Sequence, residues 1–204
     1  MEEERRPRIL LAALSVITLL VFGAVIYLWR QRAEPPYRAR YSADQSTSIH
    51  SKRISEGIEL PEFTARDTQG REARVAARGN GINLLFIFNP ACDRCEAGMP
   101  AWIKVSKKLS ELQSNAHVIA LSTADSDTTV QYARRMKLPF AVAAFPSAEM
   151  QRLYGVIEVP LTVVVDAKGI VSAVWDKPLD EGEVVDVVET ACPECLKRAA
   201  DSAR

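Results

Sequence analysis

The chain has 204 residues, 48% of them hydrophobic, which is enough for one domain of ordinary size and one additional element. Its 26 basic and 26 acidic side chains balance, so the composition predicts no nucleic-acid partner. Four cysteines stand beside only two histidines, which argues against a histidine-based metal site.

The first predicted element is a transmembrane anchor, which follows an N-terminal segment at 1–8. Residues 9–29, from Ile9 to Trp29, form a run of 21 residues without a charge. As a helix this run is about 31 Å long, enough to cross a hydrocarbon core of about 30 Å. A cleavable signal peptide is the alternative, but its apolar region is only about 7–15 residues long. Arginines lie on both sides of the run, so charge does not predict its orientation.

Residues 30–56 are predicted to form a linker. They are polar, rich in serine and arginine, and include the pair Pro35-Pro36 without a sustained period. The remaining residues, 57–204, are predicted to form a single domain.

Short apolar runs alternate with amphipathic ones through this domain. The runs Leu84–Asn89 and His117–Ser122 are typical of strands buried on both faces, and apolar residues at helical spacing lie between them. An α/β domain with a mixed sheet is the architecture that this alternation predicts. The other predicted elements are a hairpin over Phe63–Val75, helices capped by Asp125 or Asp127, by Ser147 and by Asp180, a short strand at Phe140–Phe145, and a hairpin of Pro160–Asp166 with Ile170–Trp175.

Two cysteines, Cys92 and Cys95, lie between a predicted buried strand and a predicted helix. The helix N-terminus supplies backbone N–H groups and partial positive charge beside Cys92, which favours a reactive thiolate. We therefore predict a redox pair in which Cys92 is the nucleophile and Cys95 resolves the mixed disulfide, with Arg94 adding positive charge that tunes the thiol. A structural disulfide and half of a metal site are the alternatives. The first would close only a tiny loop, and no histidine accompanies the second.

Several segments resemble the TlpA/ResA-like (redoxin) family of membrane-anchored, thioredoxin-fold thiol–disulfide oxidoreductases, with some resemblance to MauD, a methylamine-utilisation accessory protein. The resemblance covers Gly57 to Glu189. It rests on LPEFTARDTQGRE, on LLFIFNPACDRC, on Pro100 and on YGVIEVPLTVVVDAKGIV.

The resemblance implies a cis bond before Pro160, and substrate pairing with the Val159 backbone. It implies protein thiol or disulfide clients, with cytochrome c or amine dehydrogenase maturation as candidate processes. It also implies an extracytoplasmic or periplasmic domain, and no cofactor or metal is expected.

Some positions depart from the family pattern. Ala91 replaces the common tryptophan before the first cysteine, and Phe86 stands where relatives often carry a buried polar or acidic group. Glu158 is the nearest acidic candidate, and we predict that it is a surface carboxylate. Peroxidase chemistry of the peroxiredoxin type requires a threonine where Asn89 stands. Because of the departures at Ala91 and Phe86, the sequence leaves open whether the protein oxidises or reduces its clients.

The second pair, Cys192 and Cys195, follows the last predicted helix. A structural disulfide or packed thiols are expected, while a second redox relay and a metal site are the alternatives. For the whole protein, the alternatives to an enzyme are a non-catalytic thioredoxin-fold binding module and a carrier of copper or zinc.

Overall fold

The computed structural model describes residues 22–24, 53–79 and 81–195. The chain divides into two units, residues 1–49 and 50–204, and the elements below belong to the second. The strands are β1 (Phe63–Arg66), β2 (Glu72–Val75), β3 (Asn83–Phe88), β4 (His117–Ser122), β5 (Ala141–Ala144), β6 (Leu161–Val165) and β7 (Val171–Trp175). The helices are α1 (Asp93–Glu111), α2 (Ser126–Met136), α3 (Ala148–Leu153) and α4 (Glu181–Ala191).

Five strands form a mixed sheet in the order β5-β4-β3-β6-β7. Strand β3 pairs in parallel with β4 and antiparallel with β6, and it is buried along its whole length. Strands β1 and β2 form a separate antiparallel hairpin. The predicted mixed α/β architecture is confirmed.

The central strand separates two cores because its side chains alternate between the faces of the sheet. Phe86 and Phe88 face a core that includes Trp102 of α1 and residues of α2 and α4. Leu85 and Ile87 face the opposite core, to which the β1–β2 hairpin and α3 contribute. Both faces of β3 are therefore covered, as its apolar run from Leu84 to Phe88 predicts.

Short polar side chains begin three of the helices. Asp125 rather than Asp127 caps α2, and its carboxylate accepts from the Thr128 N–H at 2.8 Å. Ser147 caps α3, and Asp180 caps α4 in a reciprocal capping box with Glu183. Each cap satisfies an N–H group that has no partner within its helix.

The packed structure begins before Gly57, the predicted start of the domain. Ile54 is buried in the core that contains α3, and its N–H donates to the Gly155 carbonyl at 3.2 Å. Serine and charged residues flank Ile54 in the sequence, so the local composition is polar. For this reason the predicted linker, residues 30–56, extends past the start of the packed structure.

The predicted anchor, Ile9 to Trp29, lies outside the described residues except for 22–24. Among the residues that the structure describes, no helix has the length and apolar character needed to cross a bilayer.

Candidate active site

The loop between β3 and α1 presents Cys92. Asn89, the first residue after β3, shapes this loop with three hydrogen bonds: its side-chain oxygen accepts from Ala91 N at 2.9 Å, its carbonyl accepts from Cys92 N at 3.1 Å, and its amide donates to Thr123 Oγ1 at 2.9 Å. The last bond ties the loop to the residue that follows β4. The sheet edge therefore fixes the position of Cys92.

Cys92 is the N-cap residue of α1 and is partly exposed. Its sulfur accepts a hydrogen bond from the Cys95 N–H at 3.2 Å. That contact places a backbone donor and the positive end of the helix against the sulfur, which stabilises negative charge there. The predicted position of Cys92 at the helix start is confirmed.

Cys95 lies one turn into α1 and is completely buried, and its sulfur is not part of a disulfide. Burial, together with a hydrogen bond with Cys92, raises the pKa of Cys95 to about 12. A nearby charge on Arg94 acts in the opposite direction but does not offset burial. At neutral pH Cys95 is therefore held as a thiol.

Aromatic side chains form an apolar layer in the core that contains Cys95. Phe86 stacks on Trp102 with 4.8 Å between ring centroids, and both are fully buried. Trp102 Nε1 donates to Thr162 Oγ1 at 2.8 Å, so these two buried polar groups satisfy each other. Phe86 thus makes this part of the core beside Cys95 apolar.

The Val159–Pro160 peptide bond is cis, as the family resemblance implied. The Val159 carbonyl oxygen lies 3.8 Å from Cys92 Sγ and can accept a hydrogen bond from its S–H group. Pro160 lacks an N–H, and the next residue begins β6. The structure therefore brings the predicted substrate-binding backbone against the predicted nucleophile.

Arg94 and Glu158 are both exposed. Arg94 lies on the first turn of α1, whereas Glu158 forms an ion pair with Arg53 at 3.3 Å and is 63% exposed. Arg53 also pairs with Asp176 at 3.0 Å. Glu158 is thus a surface carboxylate, as predicted.

Cys192 and Cys195 form a disulfide, which is mostly buried at the end of α4. Cys195 Sγ lies 3.6 Å from the carbonyl oxygen of Leu112, the residue that ends α1. A helix of this length spans about 28 Å, and Cys92 begins it. The structure therefore does not bring the two cysteine pairs together.

Sequence reasoning did not identify the positioning roles of Asn89, Trp102 and Thr162. The only local signal was a polar residue, Asn89, between an apolar strand and Pro90, which is typical of a turn. The bond from Trp102 to Thr162 joins residues 60 positions apart, so no local pattern could indicate it. In the described part of the chain, no group of three metal-ligating side chains gathers into a metal site.

Comparison with known proteins assigns the chain to a family. Residues 57–174 match the AhpC/TSA family. The thiol–disulfide oxidoreductase ResA of Bacillus cereus is 27% identical over 156 residues, covering 76% of this chain and 80% of that protein. Peroxiredoxin Q from the chloroplast of Triticum aestivum is 23% identical over 157 residues, covering 71% of each.

A solved structure supports the same fold. The thiol:disulfide interchange protein DsbE of Chlorobium tepidum superposes with a TM-score of 0.58 at 17% identity, covering 70% of this chain and 99% of that one. At this identity the likeness shows the fold, and it confirms the thioredoxin-like architecture. The chain therefore belongs to the AhpC/TSA family, within which it is a thiol–disulfide oxidoreductase homologous to those of the ResA type.

Proposed function

We propose that the chain is a membrane-anchored enzyme that exchanges disulfides with extracytoplasmic protein clients, with Cys92 as nucleophile and Cys95 as resolving residue. These roles rest on the difference in solvent exposure between the two sulfurs. Cys92 is partly exposed at the helix start, whereas Cys95 is buried and its pKa is raised to about 12. A client can reach only the first sulfur without opening the fold.

Reduction of a client would proceed in two displacements. The Cys92 thiolate attacks one sulfur of the client disulfide, forms a mixed disulfide, and releases the other client sulfur as a thiolate. Cys95 then attacks Cys92 Sγ, which releases the second client sulfur and leaves Cys92–Cys95 oxidised. Because Phe86 offers no base, the released client thiolate is the proposed acceptor of the Cys95 proton. Oxidation of a client is the same sequence in reverse.

The surface beside Cys92 supports a protein client. Val159 presents its backbone next to the sulfur, and Ile157 is 59% exposed although it is a large apolar residue. An extended client segment could pair with the Val159 backbone and cover Ile157. Clients in cytochrome c or amine dehydrogenase maturation are the classes that the family resemblance favours.

The proposed location rests on two features. The uncharged run from Ile9 to Trp29 is long enough for a membrane anchor. The Cys192–Cys195 disulfide is of a kind that persists mainly outside the reducing cytosol. Both support an extracytoplasmic domain tethered to the membrane.

Trapping the intermediate tests the proposed function. In full-length Cys95→Ala, Cys92 can attack a client but no internal thiol resolves the adduct. After acid quenching and separation without reductant, we expect higher-mass species that disappear on reduction. Their mass spectra would name the client.

The double variant Cys92→Ala, Cys95→Ala is the matched control and should form no adducts. If the single variant also forms none while inserting correctly, a non-catalytic binding module becomes the better assignment. Copper or zinc that copurifies stoichiometrically with the reduced wild-type chain would instead support a metal carrier.

Peroxide reduction is a second candidate, because the matched relatives include peroxiredoxin Q. Asn89 occupies the position where peroxidases carry a threonine, and its amide is already bonded to Thr123. Consumption of hydrogen peroxide by the reduced chain well above the rate of a free thiol would support this candidate.

A further inference from the structure

A side-chain hydrogen bond fastens the loop that carries Cys92 to the end of the neighbouring strand. Asn89 Nδ2 donates to Thr123 Oγ1 at 2.9 Å. Asn89 Oδ1 accepts from the Ala91 N–H at 2.9 Å, and because an N–H group can only donate, this second bond fixes which end of the amide faces Thr123. The Thr123 hydroxyl is therefore the acceptor that holds the Asn89 side chain in place.

Thr123 is itself held at both ends of its backbone. Its N–H donates to the Phe88 carbonyl at 2.9 Å, which ties it to the last residue of the central strand. Its carbonyl accepts from Gln151 Nε2 of α3 at 3.1 Å. Because the sheet and α3 fix its backbone, Thr123 is a firm anchor for the side chain of Asn89.

The backbone of Asn89 contacts both members of the redox pair. Its carbonyl accepts from the Cys92 N–H at 3.1 Å. Burial and the hydrogen bond with Cys92 raise the pKa of Cys95, and a hydrogen bond from the Asn89 backbone lowers it. Only a donor lowers the pKa of an acid, so the group that serves Cys95 is the Asn89 N–H. A shift of Asn89 would therefore disturb the position of Cys92 and the environment of Cys95 together.

The two displacements of the exchange depend on Asn89 to different degrees. When Cys92 attacks, its sulfur is stabilised by the Cys95 N–H at 3.2 Å, a donor that belongs to α1 itself. When Cys95 attacks, negative charge develops on a buried sulfur, and Cys92 must stay within reach while it still carries the client. A fixed donor at the charged sulfur and a fixed distance between the reacting groups both lower the barrier. The second displacement is thus the one that needs Asn89 held in place.

We propose that Asn89, held by Thr123, is a positioning residue for the resolving step of the exchange. The inference rests on the proposed function and deepens it. In this step Cys95 Sγ bonds to Cys92 Sγ, and the proton of Cys95 passes to the client thiolate released first. The bond between Cys92 and the client breaks, and the second client sulfur leaves with its electron pair. The bond from Asn89 to Thr123 holds the two cysteines in register for this attack.

The test separates the two displacements with a small aromatic disulfide, dithiobis-nitrobenzoate. Attack by Cys92 of the reduced full-length chain releases one coloured thiolate at a rate proportional to the reagent concentration. Attack by Cys95 on the mixed disulfide releases a second at a rate independent of that concentration. Stopped-flow absorbance measures both phases. The double variant Cys92→Ala, Cys95→Ala gives the background from the other cysteine pair.

Thr123→Val keeps the size of the side chain and removes the hydroxyl that accepts from Asn89. It should slow the second phase about three- to tenfold, which corresponds to the loss of one hydrogen bond, and leave the first phase unchanged. Thr123→Ser restores a hydroxyl and should restore the second phase. Asn89→Ala removes the same bond from its other side and should slow the second phase at least as much.

Thr129→Val is the matched control, because the Thr129 hydroxyl is also buried but donates to the Asp125 carbonyl at 2.7 Å at the start of α2. It should lower the melting temperature and leave both phases unchanged. An unchanged second phase in Thr123→Val, or equal slowing of both phases, would overturn the inference. If Thr123→Val does not fold, Asn89→Ala decides by the same criterion. Absence of a second phase in the wild-type chain would instead overturn the proposed function.

Discussion

Two cysteines three positions apart experience different environments because of one helical turn. Cys92 caps α1 and keeps solvent contact, whereas the next turn carries Cys95 into the core with Phe86 and Trp102. The first sulfur gains a backbone donor, the Cys95 N–H, and the second loses its hydration. The different roles that we propose for the two cysteines follow from this placement and not from the motif, in which both residues are the same.

Alkylation should therefore separate the two thiols. In the reduced chain at pH 7, iodoacetamide should label Cys92 first, since Cys95 is buried and its raised pKa of about 12 leaves almost no thiolate. Labelling of Cys95 should become appreciable only as the pH approaches that value or as the protein unfolds. Peptide mapping by mass spectrometry over time measures both rates.

Two variants control this experiment. Cys92→Ser should leave Cys95 slow to react, because burial is the largest cause of its raised pKa. Arg94→Ala should slow Cys92 labelling by about twofold, since an exposed charge has a small effect. Faster labelling of Cys95 than of Cys92 would reverse the assigned roles.

Helix α1 links the reactive end of the domain to the second disulfide. Its first residue follows Cys92, and its last residue precedes Leu112, whose carbonyl oxygen lies 3.6 Å from Cys195 Sγ. The turn closed by Cys192 and Cys195 thus packs where α1 and α4 end. This position suits a stabilising cross-link and places it a helix length away from the exchange site.

Replacing Cys192 and Cys195 together by alanine should lower stability and preserve exchange. A loop this short contributes roughly 2 kcal/mol to the free energy of unfolding in the chain-entropy description. Urea titration of the oxidised proteins measures that loss, and insulin reduction measures turnover. Wild-type turnover is expected. Lost turnover in a folded variant would show that this pair is a relay to Cys92, and Cys92→Ala provides the inactive reference.

For the whole molecule, anchoring depends on the N-terminal run. Full-length protein should remain in the membrane fraction during carbonate extraction at high pH. The variant Leu19→Arg, Leu20→Arg should be released, because each charge near the bilayer centre costs about 2.5–3.5 kcal/mol on insertion scales. Immunoblots of the two fractions give the comparison. Release of the wild-type chain would contradict an anchor.

The side of the membrane on which the domain lies can be measured in cells that express the protein. After a reductant has released client adducts from intact cells of the Cys95→Ala variant, a membrane-impermeant maleimide should label Cys92 if the domain is extracytoplasmic. Lysed cells supply the reference for complete labelling. Label that appears only after lysis would place the domain in the cytoplasm.

Local patterns in the sequence determined the elements of this protein. Apolar runs marked β3 and β4, apolar residues at helical spacing marked α1, and short polar residues marked the starts of α2, α3 and α4. These features could be predicted because backbone hydrogen bonding and side-chain period act within a few residues. The CxxC pair and Pro160 could be identified for the same reason, since each lies within a recognisable local segment.

Only the tertiary structure decided which groups lie around the reactive sulfur. It placed the Val159 carbonyl oxygen 3.8 Å from Cys92 Sγ, and it placed Cys195 beside Leu112, at the far end of α1. Burial and pairing of these groups depend on which strands are neighbours in the sheet and which helices pack on each face. Those contacts join residues tens of positions apart, so no local pattern encodes them.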